Sequence, residues 1–162
     1  MNKIIVISCM HGRHKTVQYC LDSMPFIDKI MIYSTDADGK FLESQDVFAT
    51  AQVENEPLSF KWAMAFYSLE QVDFDGVVIL GSDDYIDKNF LKFAQNNINK
   101  YDMIGFTDAY FKHNKDFYYW GGYDNQRKGE PAGAGKIYSK KFLERINYNL
   151  YPGSKNVGLD GI

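Results

Sequence analysis

The chain has 162 residues, which is enough for one domain with a substantial hydrophobic core, and we interpret residues 1–162 as that single domain. A net charge of −3 gives no electrostatic reason to expect a nucleic-acid partner, and there is no transmembrane-length apolar run or signal-peptide pattern. Two cysteines, Cys9 and Cys20, fit a reduced thiol state, so we expect a cytoplasmic protein.

Strands and helices alternate in the first part of the chain, beginning with apolar runs at residues 3–8 and 29–34. Runs of this kind, rich in β-branched residues, predict strands that are buried on both faces of a sheet. Between them, four apolar side chains fall on one face of a predicted helix: Val17, Cys20, Leu21 and Met24. A strand, a glycine-containing loop and a helix open a βαβ unit, so we expect a largely parallel sheet.

Polar residues follow both of these strands. After the first strand, Arg13 either binds a ligand or is a solvated arginine at the start of the helix. His11 and His14 are three residues apart, but no second motif accompanies them to indicate a zinc site. After the second strand, Asp36 can accept hydrogen bonds from a base or a ribose, or can form a turn. We interpret Asp38-Gly39 as a turn.

A further helix is predicted after Pro57. Its apolar stripe consists of Leu58, Trp62, Ala65, Phe66 and Leu69. We interpret Lys61 as lying off this stripe, near the start of the helix. There it either joins the N-terminal amides in balancing the charge of a diphosphate, or it is a surface lysine.

The most informative stretch is the apolar run at residues 77–80, which ends at Gly81 and is followed by Ser82, Asp83 and Asp84. In open α/β sheets, ligands bind at the carboxyl ends of the strands. Two adjacent carboxylates repel each other unless a cation or hydrogen-bond donors compensate their charge. Hard oxygen ligands suit Mg²⁺ or Mn²⁺, and these cations suit a diphosphate. The alternative is that the two aspartates cap the next helix.

The last third of the chain is rich in aromatic residues and glycine. Residues 108–123 predict an antiparallel hairpin in which some rings line a pocket, with Trp120 as a candidate for binding an acceptor. Residues 130–137 fail the P-loop pattern, because Glu130 replaces its first glycine and Ile137 replaces its Ser or Thr. A loop of small residues that includes Gly133 and Gly135 can instead let a ligand approach backbone amides. Near the end, Asp160 is either a general base or part of a disordered tail.

Residues 79–86, Ile-Leu-Gly-Ser-Asp-Asp-Tyr-Ile, resemble the Asp-x-Asp-type element of GT-A glycosyltransferases, especially those of family 2. In that family a strand ends in two or three acidic residues that hold a nucleotide-sugar and a metal. Ser82 occupies the first acidic position of the usual triplet, which leaves Asp83 and Asp84. The resemblance covers nearly the whole chain and implies a three-layer α/β GT-A fold with a mostly parallel central sheet. Beside these relatives the chain looks short at its C-terminus.

The resemblance also implies a reaction, namely transfer of a sugar from a nucleotide-diphosphate donor, with a UDP-sugar favoured, to an acceptor hydroxyl with inversion. Mn²⁺ or Mg²⁺ would bind Asp84 and Asp83, and Asp160 would be the base. The donor-binding residues would be His11, Arg13, Asp36, Lys61 and Asp83, and the acceptor-binding residues would be Trp120, Gly133 and Gly135.

Two other functions remain open. A nucleotidyltransferase has a related sheet but opens with a Gly- and Arg-rich loop that ends in lysine, to which residues 8–15 correspond only faintly. A non-catalytic module that binds a nucleotide or a sugar is the third possibility.

Overall fold

The computed structural model describes residues 1–151, which form eight β-strands and five α-helices. In chain order these are β1 (Ile4–Cys9), α1 (His14–Asp22), β2 (Lys29–Tyr33), α2 (Asp36–Leu42), β3 (Ala49–Gln52), α3 (Leu58–Tyr67), β4 (Gly76–Gly81), α4 (Lys88–Asn97), β5 (Met103–Ile104), β6 (Ala109–His113), β7 (Asp116–Trp120), β8 (Ile137–Ser139) and α5 (Lys140–Arg145). Short 3₁₀ segments follow α3 and α4, at Ser68–Gln71 and Ile98–Lys100. Within residues 1–151, no helix combines the length and the apolar character that crossing a bilayer requires.

Six strands form one sheet in the order β3-β2-β1-β4-β8-β5. The first four are parallel to one another, whereas β8 is antiparallel to both β4 and β5. The register of β1 and β4 pairs Cys9 with Gly81, so these two central strands end at the same level. The prediction of a mostly parallel sheet is confirmed.

Helices cover both faces of this sheet and give three layers. On one face, α3 and α5 pack against the sheet through an apolar cluster that contains Phe66 and Leu143. On the opposite face, α1 and α4 contribute to a second cluster, which contains Leu91. β4 supplies Ile79 to the first cluster and Val78 to the second. This two-sided burial explains why the strand is apolar without alternation.

The segment after β2 is a helix, so the interpretation of Asp38-Gly39 as a turn is wrong. Oγ1 of Thr35 accepts a hydrogen bond from the Asp38 amide at 3.2 Å, and Oδ2 of Asp38 accepts one from the Thr35 amide at 3.2 Å. This reciprocal pair is a capping box, which begins α2 at Asp36. A Cβ added at Gly39 would lie 2.9 Å from the ring of Tyr33, so a larger residue here would require that ring to shift.

The acidic pair after β4 does not cap α4. The cap is Asp87, whose Oδ1 accepts hydrogen bonds from the amides of Asn89 and Phe90 at 2.8 and 3.1 Å. Asp83 and Asp84 are therefore available for other interactions.

The predicted aromatic hairpin is present as a separate two-stranded sheet formed by β6 and β7. Most of its rings are exposed to solvent. More than half of the surface of each of these residues is exposed: Tyr110, Phe111, Phe117, Tyr118 and Tyr119.

Candidate functional site

The candidate site lies at the carboxyl edge of the parallel part of the sheet. The loop after β1, residues 10–13, and the loop after β4, residues 82–87, lie side by side because β1 and β4 are neighbours. The N-terminus of α2 follows β2, the neighbour of β1 on its other side. In open α/β sheets this edge is where ligands bind.

Arg13 connects the loop after β1 to the acidic loop after β4. Its Nη1 lies 2.7 Å from Oδ2 of Asp83, and its Nη2 lies 3.4 Å from Oγ of Ser82. Because the Arg13 and Asp83 side chains are 57% and 47% exposed, their ion pair adds little stability. The ion pair instead fixes a position, because it holds the Arg13 guanidinium beside the acidic pair.

Asp84 turns its side chain back toward its own strand. Oδ2 accepts a hydrogen bond from the Gly81 amide at 2.9 Å, and the Asp84 amide donates to the Gly81 carbonyl at 3.1 Å. Burial raises the pKa of Asp84 and the charge of Asp83 adds to this rise, while the Gly81 hydrogen bond and Arg13 oppose it. A Cβ at position 81 would lie 2.6 Å from Oδ2, so a glycine is required for this approach.

The acidic loop offers oxygen donors that fit Mg²⁺ or Mn²⁺. Within residues 1–151, no group of three or more His, Cys, Asp or Glu side chains is arranged to hold a metal by itself. These ions, however, keep several waters and use one or two carboxylates together with substrate phosphates. Asp83 and Asp84 supply two carboxylates, and a cation would offset the cost of burying the charge of Asp84.

Asp38 is a site residue that the sequence interpretation missed. Its side chain is fully buried, and its Oδ1 accepts a hydrogen bond from the Gly12 amide at 2.9 Å. The same Oδ1 lies 2.8 Å from Nε2 of His14, whose ring stacks on Phe41 with 4.7 Å between the centroids. Burial raises the pKa of Asp38, but hydrogen bonds from His14, Thr35 and Gly12 outweigh it and lower the pKa to about 2.

The available signal for Asp38 was the spacing Thr35-x-x-Asp38, which is that of a capping box. The spacing predicts the helix start but not the contacts with His14 and Gly12, because these residues lie more than twenty positions earlier in the chain.

Lys61 is buried, so its placement off the apolar stripe is wrong. It is only 1% exposed, and it lies three residues after Leu58 and four before Ala65, which puts it on the stripe. Its Nζ donates to the Met10 carbonyl, and to Oγ of Ser34 at 2.6 Å.

A third acceptor for the Lys61 ammonium is Oδ1 of Asn55, at 3.2 Å. Burial lowers the pKa of Lys61, while Cys9 and Asp38 raise it. An ammonium has three N–H donors, and each of them has a protein acceptor here. Lys61 thereby links Met10, which follows β1, to Ser34, which follows β2. It is not placed to contact a donor phosphate.

His11 and Asp36 are exposed. Asp36 accepts a hydrogen bond from Nε2 of Gln52 at 3.3 Å, which turns it toward the edge strand β3. It also lines a cavity of about 520 Å³ whose walls come from β2, α2, β3 and the residues between them. No residue of the loops after β1 and β4 lines this cavity, so the cavity itself does not include the acidic pair.

The acceptor-side residues come from two segments of the chain, the end of β7 and the loop before β8. Trp120 ends β7 and packs edge-on against Tyr123, with 4.9 Å between the ring centroids. Gly135 has φ +73° and donates its amide to the Ile79 carbonyl at 2.8 Å, so this amide extends the pairing with β4 and is not open to a ligand. Gly133 is partly exposed. Asp160 lies outside the described residues.

Neither cysteine has the properties of a catalytic thiolate. Burial raises the pKa of Cys9 to about 12, with Lys61 opposing the rise. Burial, followed by the charges of Asp84 and Asp83, raises the pKa of Cys20 to about 12, with Lys29 opposing. Both thiols are therefore protonated near neutral pH.

No protein-family model matches the sequence, and no curated protein gives a significant match. Solved structures do resemble it. S. aureus TarS 1–349 is 16% identical with a TM-score of 0.60, and the match covers 92% of this chain and 53% of that chain. The chain therefore spans about half the length of that TarS fragment.

Two other solved structures match almost the whole chain. One is a protein from Desulfovibrio desulfuricans G20 described as a nucleotide-diphospho-sugar transferase, with 16% identity, a TM-score of 0.58 and coverage of 99% of this chain and 74% of that chain. The other is CMP:2-keto-3-deoxy-manno-octonic acid synthetase complexed with CTP, with 10% identity, a TM-score of 0.59 and coverage of 99% and 83%.

The chain has a GT-A-like nucleotide-diphospho-sugar transferase fold. The fold predicted from the sequence is thereby confirmed. In this GT-A-like sheet, Arg13, Asp83 and Asp84 occupy the carboxyl edge, next to the buried residues Asp38 and Lys61.

Replacing Gly81 by alanine should displace the Asp84 carboxylate while leaving the fold intact. We expect the free energy of unfolding to change by less than about 1 kcal/mol, because the atom that must move is the end of a side chain. The raised pKa of Asp84 should return toward that of an exposed carboxyl. Carbon-13 NMR titration and urea unfolding measure the two effects. Gly121→Ala is the control, since its Cβ would make only an ordinary contact with Tyr119 at 3.5 Å. A pKa that stays raised in Gly81→Ala would contradict the expectation.

Asp38 should make stability depend on pH in the acid range. Its folded pKa of about 2 is below its ordinary value of 3.8, so its contribution is present above pH 3.8 and is lost as the pH falls toward 2. The shift corresponds to about 2 kcal/mol. Urea unfolding should therefore show Asp38→Asn to be less stable than the unmutated protein at pH 6, by an amount that shrinks toward pH 2. The exposed Asp73→Asn is the control, and a difference that is independent of pH would argue against this role.

Proposed function

We propose that this chain is a nucleotide-sugar-dependent glycosyltransferase. The observation that supports this function is the arrangement at the end of β4, where the guanidinium of Arg13 lies beside Ser82 and Asp83 and next to Asp84. A nucleoside diphosphate bound with a divalent cation needs a positive group for its phosphates and carboxylates for the cation. The similar structures include one described as a nucleotide-diphospho-sugar transferase, which agrees with this function.

Arg13 is proposed to change partner when the donor binds. In the structure its guanidinium bonds Asp83 in a half-exposed ion pair, which is a weak interaction that can be exchanged. Phosphate oxygens match the planar fork of a guanidinium, so Arg13 would turn to the diphosphate and release the Asp83 carboxylate. Asp84 and Asp83 would hold Mn²⁺ or Mg²⁺, which neutralises the charge that develops on the leaving diphosphate.

The transfer breaks the bond between the anomeric carbon and the diphosphate oxygen and forms a bond to the acceptor oxygen. The acceptor hydroxyl must lose its proton, and Asp160 is the proposed base. Attack from the side opposite the leaving group inverts the anomeric carbon. His11 and Asp36 are proposed for the nucleoside of a UDP-sugar, and Trp120 and Gly133 for the acceptor. Lys61 and the amide of Gly135 are not included, because protein groups already occupy their donors.

Nucleotidyl transfer is the second candidate, because one similar structure is a synthetase complexed with CTP. That reaction breaks a bond within the triphosphate and releases inorganic pyrophosphate, whereas glycosyl transfer releases a nucleoside diphosphate. The released group therefore distinguishes the two reactions.

Asp84→Asn should remove the contribution of the metal to diphosphate binding. We expect Mn²⁺ to strengthen UDP binding to the unmutated chain, and the variant to lose at least about tenfold in affinity with Mn²⁺ because it lacks a charged ligand. Without Mn²⁺ the two proteins should bind alike. Isothermal titration with UDP, GDP and CDP measures this, with Asp73→Asn as the matched control. Full Mn²⁺ enhancement in Asp84→Asn would remove Asp84 from the metal site.

The released product should be a nucleoside diphosphate. Phosphorus NMR of the chain incubated with Mn²⁺, a set of UDP-sugars and simple sugar acceptors should show UDP forming with time. A parallel incubation with CTP and sugar phosphates should show no pyrophosphate. Formation of pyrophosphate would favour nucleotidyl transfer, and binding without either product would favour a non-catalytic module.

A further inference from the structure

We propose that Asp38 is a positioning residue that sets the guanidinium of Arg13 for the donor diphosphate, a ligand whose identity rests on the proposed function. Asp38 itself is buried, and its carboxylate hydrogen-bonds with Gly12, His14 and Thr35. It acts through the backbone and the side chain of the residues on either side of Arg13.

The loop after β1 has a backbone that requires support. Gly12 and Arg13 have φ values of +64° and +53°, so two successive residues adopt the left-handed conformation. Glycine accepts this conformation readily, but arginine has a Cβ and does not. Such a conformation persists only when surrounding contacts enforce it.

Asp38 makes those contacts on both sides of residue 13. Its Oδ1 accepts the amide of Gly12 at 2.9 Å and lies 2.8 Å from Nε2 of His14. His14 is in turn held by its stacked contact with Phe41 on α2. With the residue before it and the residue after it both fixed to one buried carboxylate, Arg13 directs its side chain toward Asp83 at 2.7 Å.

The negative charge of Asp38 is unfavourable beside the proposed diphosphate site for two reasons. A carboxylate near an anion site repels the anion, and a buried carboxylate is costly unless donors satisfy it. The donors here are the Gly12 and Thr35 amides and the His14 ring, which belong to the loop after β1, the start of α2 and the start of α1, respectively. The Asp38 carboxylate thus shapes the loop that carries the Arg13 guanidinium.

A double-mutant cycle tests whether Asp38 acts through Arg13. Asp38→Ala should weaken binding of UDP with Mn²⁺ by about tenfold, because Arg13 is no longer held toward the diphosphate. Binding of uridine, which has no phosphate, should change by less than about twofold. In the Arg13→Gln background, Asp38→Ala should cause no further loss. Additive losses, or an equal loss for uridine, would overturn the proposal.

Thr35→Ala is the matched control for the capping role of Asp38. It removes the hydrogen bond from the Asp38 amide to Thr35 Oγ1 but leaves the carboxylate on Gly12 and His14. UDP affinity should stay within about twofold of the unmutated value. If Thr35→Ala weakens UDP binding as much as Asp38→Ala does, Asp38 acts through the helix start and the proposal is wrong.

A second measurement needs no nucleotide and covers the case in which Asp38→Ala does not fold. The sequence has three arginines, Arg13, Arg127 and Arg145, so the guanidinium NMR signals of Arg13 can be assigned with Arg13→Gln. These signals should report a restrained side chain in the unmutated protein and an averaged one in His14→Ala, which removes a partly exposed partner of Asp38.

This measurement separates the two proposals. If the chain binds none of UDP, CDP and GDP, the proposed function fails, while release of Arg13 in His14→Ala still supports the positioning role. A restrained Arg13 signal in His14→Ala would overturn the positioning role whatever the ligand.

Discussion

The site depends on two buried groups of opposite charge that hold one short loop. Lys61 donates a hydrogen bond to the Met10 carbonyl, and Asp38 accepts one from the Gly12 amide. The backbone of the loop after β1 is therefore held through both an acceptor and a donor. Buried charges are tolerated when every donor and acceptor has a partner, and both residues meet this condition. Because Arg13 follows directly, the position of its guanidinium is a consequence of this arrangement.

The acidic loop depends on a smaller constraint, the absence of a side chain at Gly81. The Asp84 carboxylate folds back onto the Gly81 amide, which closes a tight turn and half-buries one of the two charges. Asp83 then faces Arg13. The two adjacent aspartates are therefore not equivalent, because one is bound into the turn of its own loop and the other pairs with a cation from a different loop.

Much of the fold could be predicted because it follows from local patterns. The uninterrupted apolar run of β4 and the helical spacing on α1, α3 and α4 each correspond to an element of the structure. The errors have physical causes. Asp38-Gly39 suggests a turn, but the capping box with Thr35 overrides it. Lys61 is charged, yet its spacing puts it on the buried face of α3.

The sequence by itself determined the class of the fold, the central strand and the acidic pair at its end, since periodicity and adjacency are properties of neighbouring residues. Only the tertiary structure decided that Arg13 meets Asp83 across 70 positions, that Lys61 reaches Met10 across 51, and that β8 inserts beside β4. These contacts depend on the order and register of the strands, which bring distant loops to one edge of the sheet. A pattern within a single segment carries no information about which other segment will lie next to it.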